Sequence, residues 1–154
     1  MHTDASLVVD FLNTVNVEEG TDLLEDPAQW HEWAAAHALT ANPATEARAA
    51  RDALRAAIGD PRLPAGHADV DTRISLTADG PALVAADVVG AVFVACARLV
   101  VRGDWIRLKI CPADTCLWAF YDESRNRSRT WCSMRVCGNR EKARGWRART
   151  ATAG

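Results

Sequence analysis

The sequence contains no run of eighteen consecutive apolar residues, so we expect no transmembrane helix. Its first residues, Met1-His2-Thr3-Asp4, also lack the basic segment that precedes the apolar core of a secretory signal. We find no internal repeat and no low-complexity stretch. These absences predict a cytoplasmic globular protein with no membrane partner. Its 154 residues suffice for one ordinary domain, or for a small domain with an appendage.

Motifs of several enzyme classes are absent as well. The chain has no phosphate-binding loop, no dinucleotide-binding glycine motif and no nucleophile elbow. We name no catalytic residue, and a binding protein is favoured over an enzyme.

The net charge of −2 conceals an uneven distribution of charge. Residues 1–106 carry 16 acidic and 7 basic side chains, a balance of −9. Residues 107–154 carry 4 acidic and 11 basic side chains, a balance of +7. This asymmetry predicts a basic module attached to an acidic body. The alternative is that the two oppositely charged parts simply dock on each other.

Most of the first hundred residues show helical spacing. In "ASLVVDFLNTV" the apolar residues are three and four apart, although the β-branched content leaves a strand open. In "EDPAQWHEWAAAHAL", Asp26 is suited to cap a helix that starts at Pro27. Further helices are predicted from Pro43 to Ile58 and over "ADVVGAVFVACARLVV", with a β-hairpin between them that turns at Asp79-Gly80. We therefore predict a helical domain over residues 1–103.

The predicted third helix has two kinds of face. Leu54 and Ile58 are expected to point inward together with neighbouring alanines. Arg48, Arg51 and Arg55 are expected to line another side.

A different module is predicted over residues 104–154. "WIRLKI" and "LWAFY" read as paired strands, residues 122–131 as a polar, arginine-rich segment, and residues 138–150 as a final helix. The predicted fold class is therefore mainly α with small β-hairpins, in which a helical N-terminal domain precedes this second module.

Four of the five cysteines form two close pairs. Cys111 and Cys116 are five positions apart, as are Cys132 and Cys137, and fifteen residues separate the pairs. Without an export signal, such pairs indicate metal ligands rather than disulfides. Four thiolates fill a tetrahedral shell, so we predict one structural zinc ion per chain. Four buried reduced thiols, a disulfide or an iron–sulfur site remain alternatives.

The other potential metal ligands are predicted to play no part in this site. Cys96 lies on an apolar helical stripe and is expected to pack in the core. The four histidines are far upstream of the cysteine pairs and are expected at the surface or in the core. They are His2, His31, His37 and His67.

The order of the predicted elements is that of a treble-clef zinc finger. One cysteine pair caps the predicted hairpin, and the other precedes the last helix. Gly138 is expected to relieve crowding where the chain turns into that helix. Arg140 is expected to balance part of the negative charge of the zinc-bound thiolates.

The segment "CPADTCLWAFYDESRNRSRTWCSMRVCGNREKAR" resembles the CGNR zinc finger of bacterial proteins. "LVVDFLNTV" and "DLLEDPAQWHEWAAAHAL" resemble the mainly helical domain that precedes this finger in the family and is described as a stress-induced transcription regulator. The resemblance covers nearly the whole chain. It implies a structural zinc ion at the four paired cysteines and a DNA-binding role in transcription regulation.

The basic residues of the second module supply the predicted DNA contacts, because guanidinium groups suit phosphate oxygens and guanine edges. Trp146 is expected to anchor the last helix to the finger, the alternative being a base contact. One finger offers few contacts, which favours a homodimer. The predicted DNA-binding residues are Arg125, Arg127, Arg129, Arg140, Lys142, Arg144 and Arg147.

Asp10 and Asn13 place polar groups within an apolar helix. We consider them residues of a pocket for a small-molecule effector. If the protein is instead a small-molecule-binding protein or a biosynthetic enzyme with a purely structural zinc, the same pocket would hold its ligand. The simpler interpretation is a helix cap or an interhelical hydrogen bond.

Overall fold

A computed structural model describes residues 3–152 of the chain. This part contains five α-helices and three two-stranded antiparallel sheets. The helices are α1 (Thr3–Leu12), α2 (Pro27–Ala36), α3 (Ala44–Ala57), α4 (Val88–Val101) and α5 (Asn139–Thr152). The strands are β1 (Val15–Asn16), β2 (Thr21–Asp22), β3 (Arg73–Thr77), β4 (Gly80–Val84), β5 (Leu108–Ile110) and β6 (Ala119–Tyr121).

The predicted fold class is confirmed, and the first segment is a helix rather than a strand. Asp26 caps α2 as expected, since its carboxylate accepts hydrogen bonds from the N–H groups of Ala28 and Gln29. The predicted turn at Asp79-Gly80 connects β3 and β4. Within residues 3–152, no helix combines the length and the apolar character that a membrane span requires.

Two details of the strand prediction were wrong. In "WIRLKI" only Leu108–Ile110 is a strand, because Trp105–Arg107 forms a 3₁₀ turn in which the N–H of Arg107 binds the carbonyl of Asp104. The short hairpin of β1 and β2 was not predicted, since strands of two residues are too short to show an alternating pattern.

One apolar core joins the helical part to the C-terminal hairpin. Helices α1 and α4 pack against each other at its centre, and α2 and α3 add further side chains. The β5–β6 hairpin contributes apolar residues to this core, while Phe120 of β6 belongs to a second, smaller cluster around the paired cysteines. Its contribution consists of Leu108, Ile110, Leu117 and Ala119, each less than 9% exposed.

The arginines of α3, which were expected to line a side of the helix other than the apolar one, pair with carboxylates of the protein. Arg51 is buried and donates to both carboxylate oxygens of Asp22, at 2.7 and 2.8 Å. Arg48 binds the same carboxylate at 2.5 Å. The buried charges are tolerated because each guanidinium has a carboxylate partner.

Arg55 is 1% exposed and connects three parts of the chain. Its guanidinium pairs with buried Asp60 and donates to the carbonyl of Leu12 at the end of α1, at 2.8 Å. It also donates to the carbonyl of Leu117, between β5 and β6, at 2.6 Å. Arg55 thereby holds the C-terminal hairpin against α1 and α3.

Asn13 forms a second connection between the two parts. Its side-chain amide donates to the carbonyl of Ala119 and accepts from the N–H of the same residue, both at 2.9 Å. The sequence analysis considered a helix cap or an interhelical hydrogen bond for Asn13. Its side chain instead forms hydrogen bonds to the backbone of strand β6.

We expect Arg55→Leu to lower the free energy of unfolding by about 3 kcal/mol or more, because it leaves Asp60 and two carbonyls without their buried donor. Arg62→Leu is the matched control. Arg62 pairs with the same carboxylate at 3.0 Å but is 43% exposed, so its loss should cost less than about 1 kcal/mol. Urea unfolding measures both, and equal losses would contradict the role given to Arg55.

Candidate metal centre and nucleic-acid interface

The four paired cysteines converge at one point of the structure. Their Sγ atoms all lie within 4.8 Å of one another. The Sγ of Cys132 is 3.6 Å from that of Cys116 and 3.6 Å from that of Cys137. Ligands at about 2.3 Å from a tetrahedral zinc ion are separated by about 3.8 Å. The thiols therefore fit a zinc ion, whose Lewis acidity would hold them as thiolates.

The first pair is positioned by the loop between β5 and β6. The N–H of Cys111 binds the carbonyl of Trp118 at 2.9 Å, and the N–H of Cys116 binds the carbonyl of Ala113 at 2.8 Å. Leu117 adopts a left-handed conformation with φ of 49°. These contacts turn the chain back on itself, so both thiols lie at the tip of the hairpin.

The second pair is positioned by the start of the last helix. Ser133 caps a π-helical turn, Met134–Gly138, which carries Cys137 and continues into α5. A Cβ atom on Gly138 would lie 2.5 Å from Sδ of Met134 and 3.1 Å from Cδ1 of Trp131. The position is therefore crowded, as expected, and a larger residue would have to displace the side chain of Met134.

The pKa values of the thiols differ within the cluster. Burial disfavours ionisation of Cys111, but N–H groups of Cys132 and Ala113 outweigh it and lower the pKa of this thiol. Burial and neighbouring thiols raise the pKa of Cys132, and they raise that of Cys137 to about 11. The raised pKa values keep Cys132 and Cys137 protonated at neutral pH without a metal, so zinc binding releases protons from these two thiols.

Residues outside the cysteine cluster match the sequence predictions in part. Within residues 3–152 no histidine joins the cluster, as expected for His31, His37 and His67. His2 lies outside the described residues. Cys96 is buried in the apolar core, and burial raises the pKa of its thiol to about 12, in keeping with a packing role.

A buried carboxylate organises the arginine-rich loop, and no sequence pattern distinguishes this residue from an ordinary surface aspartate. Asp122 is 0% exposed. Burial opposes its ionisation, but the ammonium of Lys109 at 2.6 Å and donors from Ser124 and Arg129 lower its pKa well below the usual range. Lys109 also donates to the carbonyls of Arg127 and Arg129. The loop from 124 to 129 is thus held in one conformation.

Three of the predicted DNA-binding arginines make contacts within the protein. Arg129 donates to the carbonyls of Trp131 and Cys132, and its guanidinium carbon lies 5.0 Å from the centre of the Phe120 ring. Arg129 therefore stabilises the conformation of the segment that leads into the second cysteine pair.

Arg140 and Arg144 lie on one face of α5 and contact acidic groups. Arg140 binds the carboxylate of Glu18 at 3.0 Å and the hydroxyl of Thr115 at 3.1 Å. Arg144 binds Asp114 at 3.2 Å and Glu141 at 2.5 Å. This face of the helix is directed toward the first cysteine loop and the β1–β2 turn.

Four other predicted residues remain available to a partner. They are exposed and make no side-chain hydrogen bond or ion pair within residues 3–152. They are Arg125, Arg127, Lys142 and Arg147.

Asp10 and Asn13 both line an open cleft of about 500 Å³. The indoles of Trp33 and Trp118 form part of its walls. Four carboxylates border it, and its lining within residues 3–152 includes no lysine, arginine or histidine, although Nε2 of His37 lies 3.8 Å from the carboxylate of Asp10. The carboxylates are those of Asp10, Glu19, Asp22 and Glu25.

We expect Cys132→Ser to lower zinc content from one ion per chain to near zero, because the remaining three thiols no longer fill the tetrahedral shell. Cys96→Ser is the control and should retain one zinc ion. Elemental analysis of the purified proteins measures both. Full zinc retention by the Cys132 variant would contradict the ligand assignment.

Comparison with known families agrees with this geometry. Residues 107–150, which include all four clustered cysteines, match the CGNR zinc finger. Residues 5–105 match the family described as "Putative stress-induced transcription regulator". No curated protein matches the chain. The second match alone covers more than half of the sequence, and the chain therefore belongs to this regulator family, with a CGNR zinc finger as its C-terminal part.

Proposed function

We propose that the protein is a transcription regulator that binds DNA through its zinc finger. The observation that carries this proposal is that four of the predicted DNA-binding residues, Arg125, Arg127, Lys142 and Arg147, are exposed and have no side-chain partner within residues 3–152. Guanidinium and ammonium groups without an internal carboxylate are free to bind phosphate oxygens. The zinc ion and Asp122 hold the elements that carry these cations.

The remaining predicted contacts receive a different role in this proposal. Arg129, Arg140 and Arg144 already bind protein carbonyls and carboxylates. We assign them to holding the finger in shape and against the body. Their substitution is expected to affect stability more than the salt dependence of DNA binding.

The salt dependence of binding tests the proposal, because each neutralised phosphate releases condensed counterions. Four contacts predict a slope of log affinity against log salt of about −3.6 on duplex DNA. Arg125→Gln, Arg127→Gln and Arg147→Gln should each make the slope shallower by about 1. Arg73→Gln removes an exposed cation of β3 and should leave it unchanged.

The full chain should be titrated against a labelled duplex of mixed sequence. Absence of binding at about 50 mM salt, where charge interactions are weakly screened, would defeat the proposal. The homodimer stays a prediction, which a stoichiometry of two chains per duplex would support.

We further propose that the cleft beside α1 binds a small-molecule effector. Within the described part of the chain its lining has carboxylates and two indoles but no basic side chain, which favours an organic cation over an anion. Glu19 and Glu25 have no ion-pair partner in the described part of the chain. Asp22, in contrast, is already neutralised by Arg48 and Arg51.

We expect benzylamine to raise the melting temperature of the protein and benzoate to leave it unchanged, because only the amine complements the carboxylates. Asp10→Asn should weaken the response to benzylamine without changing zinc content. Glu32→Gln removes an exposed carboxylate of α2 that does not line the cleft and is the control. An equal response to both compounds would contradict a cation site.

A further inference from the structure

Trp146 is 61% exposed, although the sequence suggested that it anchors the last helix. It lies in the middle of α5, and the described structure shows no ring contact or side-chain hydrogen bond for it. Helix α5 is anchored instead by Arg140, which binds Glu18, and by Arg144, which binds Asp114. This largely exposed indole is the largest apolar group that the helix offers to a partner.

The charged residues around Trp146 indicate what kind of partner fits. Lys142 lies four residues before it, and therefore on the same face of the helix, one turn away. Arg147 follows it directly. Both cations are exposed and unpaired within residues 3–152. An exposed aromatic ring between cations complements a ligand that combines flat apolar surfaces with negative charge, and nucleic acid is the polymer with both.

We infer that Trp146 stacks on a nucleobase when the finger binds DNA. This inference rests on the proposed function and names the residue that contacts bases rather than phosphates. The indole carries no charge, so it forms no ion pair with a phosphate and does not change the number of counterions that binding releases. Its face can stack on any base, an interaction worth about 1–3 kcal/mol per base.

The inference also specifies the form of DNA. Bases in a regular duplex are stacked on each other, and inserting a side chain between them costs unstacking energy. Single-stranded DNA, or a duplex with an unpaired base, offers the same surface at lower cost. We therefore expect the finger to prefer DNA with an unpaired base over a fully paired duplex of the same length and charge.

The test compares full-length variants on a duplex and on the same duplex with one unpaired base. Trp146→Ala should lose about 5- to 150-fold in affinity for the second probe, which corresponds to 1–3 kcal/mol. Its salt slope should not change, because no cation is removed. Trp146→Phe keeps an aromatic face and should recover part of the loss.

Two controls separate stacking from other effects. Lys142→Gln should make the salt slope shallower by about 1 instead. Val101→Ala truncates an apolar side chain that is 87% exposed but outside the finger and should bind like the wild type. Zinc content and circular dichroism should be the same in all variants.

These measurements distinguish base stacking by Trp146 from DNA binding by the zinc finger. If the wild type binds DNA and Trp146→Ala binds equally well, the stacking role is overturned while DNA binding stands. If Trp146→Ala loses zinc or helix content, the residue is structural and the inference is wrong. If the wild type binds neither probe, the proposed function fails, and the inference fails with it.

Discussion

The guanidinium of Arg55 is the contact on which the arrangement of the whole molecule depends. It is buried between α3, the end of α1 and the cysteine hairpin, and each of its nitrogens has an acceptor. A buried charge is costly unless it is fully paired, so the positions of Asp60, Leu12 and Leu117 are specified together. Because Leu117 lies next to Cys116, the same contact positions one side of the zinc site. The apolar residues of the hairpin then complete the core of the helical part, and zinc binding and core packing become properties of one folding unit.

The charge asymmetry of the chain has two origins. Some of the C-terminal cations are internal supports, such as Lys109 beneath the arginine loop and Arg140 against Glu18. This part agrees with the simple interpretation that opposite charges dock on each other. The cations that remain unpaired form a smaller set than the sequence suggested, and they are the ones to which a phosphate backbone has access.

The sequence was sufficient to predict the helices, the long hairpin and the cysteine cluster, because each of these depends on local spacing or on a local cap. Asp26, Gly138 and the two cysteine pairs are examples in which the signal lies within a few residues. It was not sufficient to predict contacts between distant segments. Arg55 resembles any other arginine of an amphipathic helix, and its burial follows from Asp60 and from a carbonyl 62 residues away. For the same reason the burial of Asp122 was not predicted and the exposure of Trp146 differs from expectation, since exposure depends on which distant segments cover a residue.

Asn13 also occupies backbone groups at which another protein molecule could pair with the C-terminal hairpin. Ala119 belongs to a sheet of only two strands, and the outer edge of such a sheet presents free N–H and C=O groups to any extended chain nearby. The amide of Asn13 occupies both groups of Ala119 at this edge and thus acts as a third strand one residue long. At the β6 edge of the zinc hairpin, the backbone groups of Ala119 with which an incoming strand would pair are therefore already occupied, and the nearby carbonyl of Leu117 is occupied by Arg55.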